Sequence, residues 1–499
     1  MTGTGFDRRT TLAMLGAGAA VAAFDVTPAF ATVRVRENIT TFAANPTKLA
    51  ALKHGVKVMM DRSTVNQNDP TGWYYWASSH GTNNAVPPAL ATIYNQCKHG
   101  SPYFYPWHRA FLYYFEQVLR SASGDPTFNL PYWNWYSQPT IPAAFTTPAD
   151  GTNPLYHPRG SNTVGTLSQS PFTRTTLLGP PNPGMSSDLE GDPHGAVHDD
   201  IGGDMGFINR SARDPIFWLH HCNVDRLWNV WVNQGHTNPP PSNPWSNQTF
   251  KYDVGGTMVK TAGQVTNTQT MLNYKYDRET SPLTGTIFYI PWKIILSAVL
   301  IAKPIPIPGP GPVEHGGNMG GMQMAAARGA VASALPAGLV LGTQSSQVNF
   351  TLEEKTRNRI RSFATALAAA TDDSNVDLVL DGVQIAPEGR NGGYSYRVCV
   401  ALPPGDVKAD VMDRQCVGQF GSFEISVAQG HQQMAGGDGN GPVTLRFPLG
   451  SALKALGGKI GDSVPVTFVA RHGNQPAGRG QHTYVTVKSA HLELGPKLP

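Results

Sequence analysis

The chain has 499 residues, with 38 Lys and Arg against 34 Asp and Glu, for a formal net charge of +4. That length is too great for one ordinary domain and gives enough chain for two buried cores, while the near-balanced charge, with no Lys/Arg run of five or more, gives no sign of a nucleic-acid partner. Four cysteines are too few for a disulfide framework, whereas 10 Trp, 17 Tyr and 41 Pro suggest an aromatic, loop-rich, extracytoplasmic protein.

In chain order, Arg8 and Arg9 precede a short apolar stretch and the small-x-small site Ala29-Phe30-Ala31, which reads as a twin-arginine export signal over residues 1–31. Residues 32–300 form a first domain. Within it, "WHRAFLYYFEQVLRSA" and "PIFWLHHCNVDRLWNVWV" repeat apolar residues at intervals of three and four, as helices do, and long Pro-rich loops join them. The apolar run from Ile287 to Ala302 is broken by Pro291 and Lys293 and is shorter than the roughly 20 residues of a spanning helix, so it reads as core or interface. Residues 301–345 are rich in Pro, Gly and Met and read as a linker. From 346 to 499, "VDLVLDGVQI", "YSYRVCVAL", "GSFEISVA", "VTLRFPL", "VPVTFVAR" and "HTYVTVKSAHLEL" are short β-branched and aromatic runs between turn residues, and they predict an all-β sandwich or barrel. Cys399 and Cys416 share this region and could pair.

The chemistry concentrates in two histidine blocks of the first domain. One holds His80, His99 and His108; the other holds His194, His198 and the adjacent His220 and His221. On a helix, residues four apart share a face, so His194 and His198 can direct two imidazoles at one ion. Spacing alone is a weak signal, but two blocks of three imidazoles with no thiolate or carboxylate at ligand spacing would make two all-nitrogen sites. Such sites suit copper, zinc, iron or nickel and leave positions open for a small molecule, whereas a structural zinc site usually recruits cysteine and closes its shell.

The segments "YFYPWHRAFLYYFE", "LPYWNW", "PHGAVHDDIGG" and "DPIFWLHHCNVDRLW" closely resemble the copper-binding motifs of the type-3 copper proteins: tyrosinases, catechol oxidases and haemocyanins. The resemblance runs from about residue 45 to 280. It includes "NYKYD", Asn273 to Asp277, similar to the Tyr-x-Tyr signature that closes the core of plant polyphenol oxidases. The later half resembles their C-terminal shielding domain more loosely.

The resemblance implies a mainly α catalytic domain, a four-helix bundle with a dinuclear copper centre and long loops, followed by the β-sandwich. His80, His99 and His108 would bind one copper, and His194, His198 and His221 the other. His221 is preferred to His220 because single-histidine versions of the motif place the ligand seven residues after the Asp of Asp-Pro, here Asp214. Asp225, four residues beyond His221, would orient that ring, and Cys97 would form a thioether with His99. The implied reaction is oxidation of o-diphenols to o-quinones by O2, with monophenol hydroxylation a further possibility. An o-aminophenol oxidase and a haemocyanin-like oxygen carrier are the alternatives, the carrier disfavoured by the export signal and the single copper module.

Four residues bear on substrate. Glu190 matches the acidic residue thought to hold a water that deprotonates phenols; Gly195 stands where monophenol-hydroxylating members often carry Asn, so diphenols are favoured. Asp199 would repel acidic substrates and tolerate amines, and Ile208 matches an aliphatic gate above the second copper. In the linker, His315, Met319, Met322 and Met324 are soft enough to carry Cu(I), although a plain spacer is the simpler reading. Family members with a C-terminal domain are commonly latent until cleavage, which predicts a plug residue, not identifiable from sequence, and an exposed linker that is cut. The expected partners are phenols and O2, with a copper chaperone left open; no nucleic acid and no membrane span are expected.

Overall fold

The structure, a computed structural model, describes residues 32–178, 184–282, 292–294, 296–302, 329–332, 338–366, 374–402, 405–407, 409–434, 440–456, 460–472 and 482–496. The export segment and the linker residues His315, Met319, Met322 and Met324 lie outside these. No helix of the described residues is long and apolar enough to cross a membrane.

Helices build the first half. Helix α1 (Pro46–Val65) starts where the Asn45 side chain accepts from the amides of Thr47 and Lys48, with Pro46 in the first turn, where its missing N–H costs nothing. Helix α2 (Trp73–His80) follows, and α3 (Phe104–Ser123) ends at Gly124, whose φ of 71° is the left-handed conformation that stops a helix. A short helix α4 (Ala196–Ile201) precedes α5 (Pro215–Asn233), which is capped by Asp214 accepting from the Ile216 amide. The buried residues of these helices are aromatic to an unusual degree: Trp73, Trp76, Trp107, Trp218, Trp228 and Trp231 are all at most 2% exposed. Phe115 lies flat against Trp218, with ring centroids 3.3 Å apart.

Strand β1 (Arg34–Arg36) pairs in parallel with β2 (Tyr274–Tyr276), tying the start of this half to its end. The Tyr-x-Tyr signature explains why they meet. Tyr274 and Tyr276 donate to Asp225 Oδ2 at 2.6 and 2.5 Å, and Arg36 and Arg109 pair with the same carboxylate. Arg36 also pairs with Glu116 of α3 at 2.8 Å. The assembly is completely buried, so each charge survives only because its partners replace water.

The second half is two stacked sheets. In one, β4 (Gly329–Ala332), β13 (Ser489–Pro496), β7 (Ser374–Ile385), β12 (Thr483–Val487) and β5 (Leu339–Gly342) lie in that order, with β10 (Val443–Pro448) also on β7. In the other, β9 (Cys416–Gly421), β8 (Tyr394–Val400), β11 (Ser463–His472), β6 (Ser345–Thr351) and β3 (Leu296–Ala302) lie in order, β3 running parallel to β6. Val348, Val376, Leu378, Val398, Phe420 and Phe468 fill the space between as a core that shares no residue with the first. Cys399 and Cys416 form a disulfide between β8 and β9.

Two expectations change. Residues 292–294 and 296–300, read as part of the first domain, and residues 301–302, 329–332 and 339–342, read as linker, pair with strands of the second half. "GSFEISVA", read as a strand, instead opens helix α6 (Ser422–Met434). Phe423, Ile425 and their neighbours alternate as in a strand because two different surfaces bury them: Ile425 belongs to the second core, whereas Phe423 faces the histidines of the first half.

Candidate metal centre

Seven histidines meet at the centre of the helical half, all of them buried. His80 is the last residue of α2, and a Cβ on the following Gly81 would stand 2.5 Å from the Ile208 carbonyl oxygen. Glycine there lets the 205–209 loop approach until Ile208 O accepts from His80 Nδ1 at 3.1 Å. On α3, His108 Nδ1 donates to the Phe104 carbonyl one turn back, at 2.7 Å. His99 comes from a loop, its Nδ1 3.3 Å from the Cys97 thiol.

The second group uses a kinked segment. Residues Glu190–Gly195 form a wide turn broken by extended Asp192 and by Pro193, and within it His194 Nδ1 donates to Glu190 O at 2.9 Å. His198 lies on α4, and its Nδ1 donates forward to Met205 O at 2.8 Å. That reach depends on the paired glycines: Gly202 and Gly203 have φ of 61° and 60°, which reverse the chain between His198 and Met205. His194 and His198 do share a face, with ring centroids 4.7 Å apart.

These bonds settle what the rings offer. Each Nδ1–H given to a carbonyl leaves the Nε2 lone pair facing inward. The Nε2 atoms of all seven rings are buried without a hydrogen-bond partner among the described residues. Burial lowers all their pKa values, and neighbouring imidazoles add to it at every ring except His194; for His80, burial opposed by the Ile208 hydrogen bond gives about 3, and for His194, burial opposed by the Glu190 hydrogen bond also gives about 3. Neutral imidazoles with inward lone pairs are what a metal ion requires. His80, His99 and His108 form one cluster and His194, His198, His220 and His221 the other, the ligand atoms of each lying within 4.8 Å of one another. The clusters face each other, with the His108 and His221 rings stacked at 4.6 Å.

The second cluster holds one imidazole more than a three-nitrogen site needs, and the hydrogen bonds discriminate. Trp135 donates its indole N–H to His220 Nδ1 at 3.1 Å. An indole nitrogen only donates, so Nδ1 accepts and the ring's proton sits on Nε2, which removes the inward lone pair. Among the described residues His221 carries no such bond on either nitrogen, and Phe217 packs against it at 4.3 Å.

The remaining residues singled out from sequence lie as follows. Asp225 does not reach His221: Arg36, Arg109 and the two tyrosines saturate its oxygens, so its work is to lock β1, β2, α3 and α5 together. Glu190 accepts from the Gly100 amide at 2.6 Å, and burial, with help from Glu424, raises its pKa to about 8. Ile208 orients His80, in the first cluster, through its carbonyl, and Ser426 of α6 accepts from its amide at 2.9 Å, so α6 covers the residue expected to gate an entrance. A side chain at Gly195 would collide with the Glu424 carboxyl. Asp199 accepts from the Phe423 amide at 2.8 Å.

Phe423 is the residue that sequence reasoning missed. It lies flat on His198, with centroids 4.0 Å apart and planes 6° apart, and is 5.5 Å from His194 and 5.6 Å from His99. Buried ion pairs hold the corner that carries it: Arg471 to Asp200 at 3.0 Å and Arg397 to Asp192 at 2.5 Å.

The family model for the common central domain of tyrosinase matches residues 70–189 and 179–234, the stretch that supplies all seven rings. Residues 70–234 thus carry the common central domain of tyrosinase. Its histidine clusters suit the dinuclear copper site of that family. Among curated tyrosinase relatives, the chain is 30% identical over 309 residues to tyrosinase HcTyr1 of Hahella sp. (strain CCB-MM4), covering 51% of this chain and 65% of that protein. It is 28% identical over 432 residues to the chloroplastic polyphenol oxidase of Malus domestica, covering 75% of this chain and 65% of that one. The chain thus spans just under two thirds of the length of both. Two solved structures share the whole tyrosinase-plus-sheet fold: latent apple tyrosinase, with TM-score 0.51, 19% identity and 94% of this chain against 98% of that one, and recombinant latent aurone synthase, with TM-score 0.51, 19% identity and 95% against 92%.

Proposed function

We propose that this chain is a copper-dependent oxidase of o-diphenols, produced in a closed, latent form. The observation that carries the reading is the pair of facing clusters, each with three buried imidazoles free to turn Nε2 inward. His80, His99 and His108 hold one copper, and His194, His198 and His221 the other. The bound coppers supply O2 activation and two-electron redox chemistry. Each diphenol gives up two electrons and two protons to half an O2, which leaves as water.

The chain's own residues provide the rest. Five of the rings are oriented through Nδ1, four by carbonyls and His99 by the Cys97 thiol, to which it becomes joined as a thioether. Phe217, against His80 and His221, keeps water from that side. Glu190 positions the water that takes the phenolic proton, and Gly195, lacking an amide side chain, leaves that water poorly oriented for monophenols. Phe423 occupies the place over His198 that a substrate ring would take, which supports latency with Phe423 as the plug; the latent apple tyrosinase and latent aurone synthase that share the fold point the same way. Export by the twin-arginine route fits a chain that folds around metal before it crosses a membrane, and the Cys399–Cys416 disulfide suits an oxidising destination.

The test is copper content together with paired oxygen-uptake assays on linker-cleaved protein. The expected result is two coppers per chain, turnover of 4-methylcatechol and far slower turnover of 4-methylphenol. A copper-replete, cleaved protein that consumes no O2 with the catechol would contradict the reading.

A further inference from the structure

We infer that the preferred substrates are diphenols carrying an aminoethyl side chain, the 2-arylethylamine class, with the amine held by Asp199. This rests on the diphenol oxidase reading and narrows it. The observation is the way the later half fills the site. Phe423 places its ring flat on His198 at 4.0 Å and, through Cβ and Cα, directs its own backbone N–H to Asp199 Oδ1 at 2.8 Å. A ring, two carbons and a nitrogen that donates a hydrogen bond are the skeleton of a 2-arylethylamine. The site's occupant therefore measures the distance between the surface that takes a ring and the carboxyl that takes an N–H.

The surroundings favour a cation at the nitrogen position. Asp192, Asp199 and Asp200 lie on one short segment, and the second half meets each with a donor: Arg397 on Asp192 at 2.5 Å, the Phe423 amide on Asp199 at 2.8 Å, and Arg471 on Asp200 at 3.0 Å. Ser422 Oγ adds a longer contact to Asp199 Oδ1 at 3.4 Å, and the Gly393 amide donates to the Asp199 backbone carbonyl at 2.9 Å. Asp199 also faces the Glu424 carboxyl of α6, so when the second half withdraws, both arginines and Glu424 leave with it and the three aspartates remain. An ammonium group replaces a donor already drawn to this place, whereas a substrate carboxylate is repelled.

The experiment uses the full-length, copper-loaded chain opened by Gly421→Leu, because any side chain at 421 collides with the Asp199 carboxyl and lifts the Phe423 corner away. Dopamine, 4-ethylcatechol and 3-(3,4-dihydroxyphenyl)propionate share a ring and differ in the end group. A hydrogen bond to a charged group corresponds to kcat/KM about tenfold higher for dopamine than for 4-ethylcatechol, with the propionate lowest. Adding Asp199→Asn should bring the dopamine to 4-ethylcatechol ratio close to one at unchanged copper content. Independently of turnover, 2-phenylethylamine should raise the unfolding temperature of the opened chain more than 2-phenylethanol does, and this difference should vanish with Asp199→Asn. Equal kcat/KM for dopamine and 4-ethylcatechol, or equal stabilisation by the amine and the alcohol, overturns the inference and leaves the oxidase reading intact. Failure of all three catechols in both the Gly421→Leu and the Phe423→Ala chains overturns the oxidase reading itself.

Discussion

The two histidine clusters use the same ring type and are built differently. The first takes His80 and His108 from full-length helices that end or lie inside the aromatic core, and their Nδ1 partners, Ile208 O and Phe104 O, belong to the same half of the chain. The second takes His194 and His198 from a short kinked segment between Glu190 and Gly203, and the other half of the chain reaches most of its polar groups. Arg397 and Arg471 pair with its carboxylates, Gln419 donates to Gly191 O, and Asn391 O accepts from the Gly203 amide. The first cluster is thus a property of one core, whereas the second is a property of an interface. The lesson is that withdrawal of the second half bears more heavily on one copper position than on the other, which it reaches only through Phe423 beside His99 and Ser426 on Ile208.

The largest expected effect breaks the symmetry of the ligand assignment. His108→Ala should reduce copper from two to about one per chain and abolish oxidation, since a dinuclear reaction needs both ions. His220→Phe should retain both coppers, because Trp135 holds that ring in the tautomer whose inward nitrogen carries the proton. Copper analysis by atomic absorption checks both. A His220→Phe protein that loses one copper while His221→Phe keeps two would reverse the assignment.

A smaller effect sharpens the contrast between core and interface. Tyr276→Phe removes one of the donors that satisfy buried Asp225 and should cost about 1–3 kcal/mol. For a domain of this size, the unfolding temperature of the helical half should fall by roughly 2–4 °C per kcal/mol. The β-half, with its separate core and disulfide, should unfold unchanged, so calorimetry should show one transition moving and the other still.

The pH dependence of the helical half is more gradual. Burial alone would raise the Asp225 and Glu116 carboxyls, but Arg109 and Arg36 outweigh it at Asp225, and Arg36 and Arg120 at Glu116, so both lie below their ordinary values of 3.8 and 4.5. Carboxyls with lowered folded values contribute stability that is fully present above those ordinary values and is lost as pH falls through the folded ones. The contribution of Asp225 and Glu116 to the helical half should therefore be complete above about pH 5 and be lost progressively in stronger acid. In the Asp225→Asn protein the remaining acid loss should be shallower, as read by the unfolding temperature between pH 3 and 7.

Much of this was legible in the sequence because metal ligation demands particular residues at particular spacings. Both histidine blocks and the paired glycines after His198 could be read from residue types alone, whereas the preference for His221 over its neighbour came only from the resemblance to the copper-binding motif. The helices around them were legible from apolar periodicity. What escaped were features that depend on the two halves meeting. Asp225 was assigned to His221 by its position one turn on, but the arginines that claim it come from residues 36 and 109, distant in sequence. The alternation of Phe423 and Ile425 imitated a strand because one faces the β core and the other the histidines, and no local pattern distinguishes a core from an interface. For the same reason the gate expected at Ile208 lies under α6.

The central claim is that the second half closes the site through one ring. The most direct test compares oxygen uptake by the full-length, uncleaved wild type and Phe423→Ala chains, at matched copper content, with 4-methylcatechol. Truncating a buried Phe costs about 3–5 kcal/mol, and if most of that loss falls on the closed arrangement the open fraction rises by at least about a hundredfold. The account predicts a near-silent wild type and an active variant without any cleavage; equal rates in the two chains would contradict it.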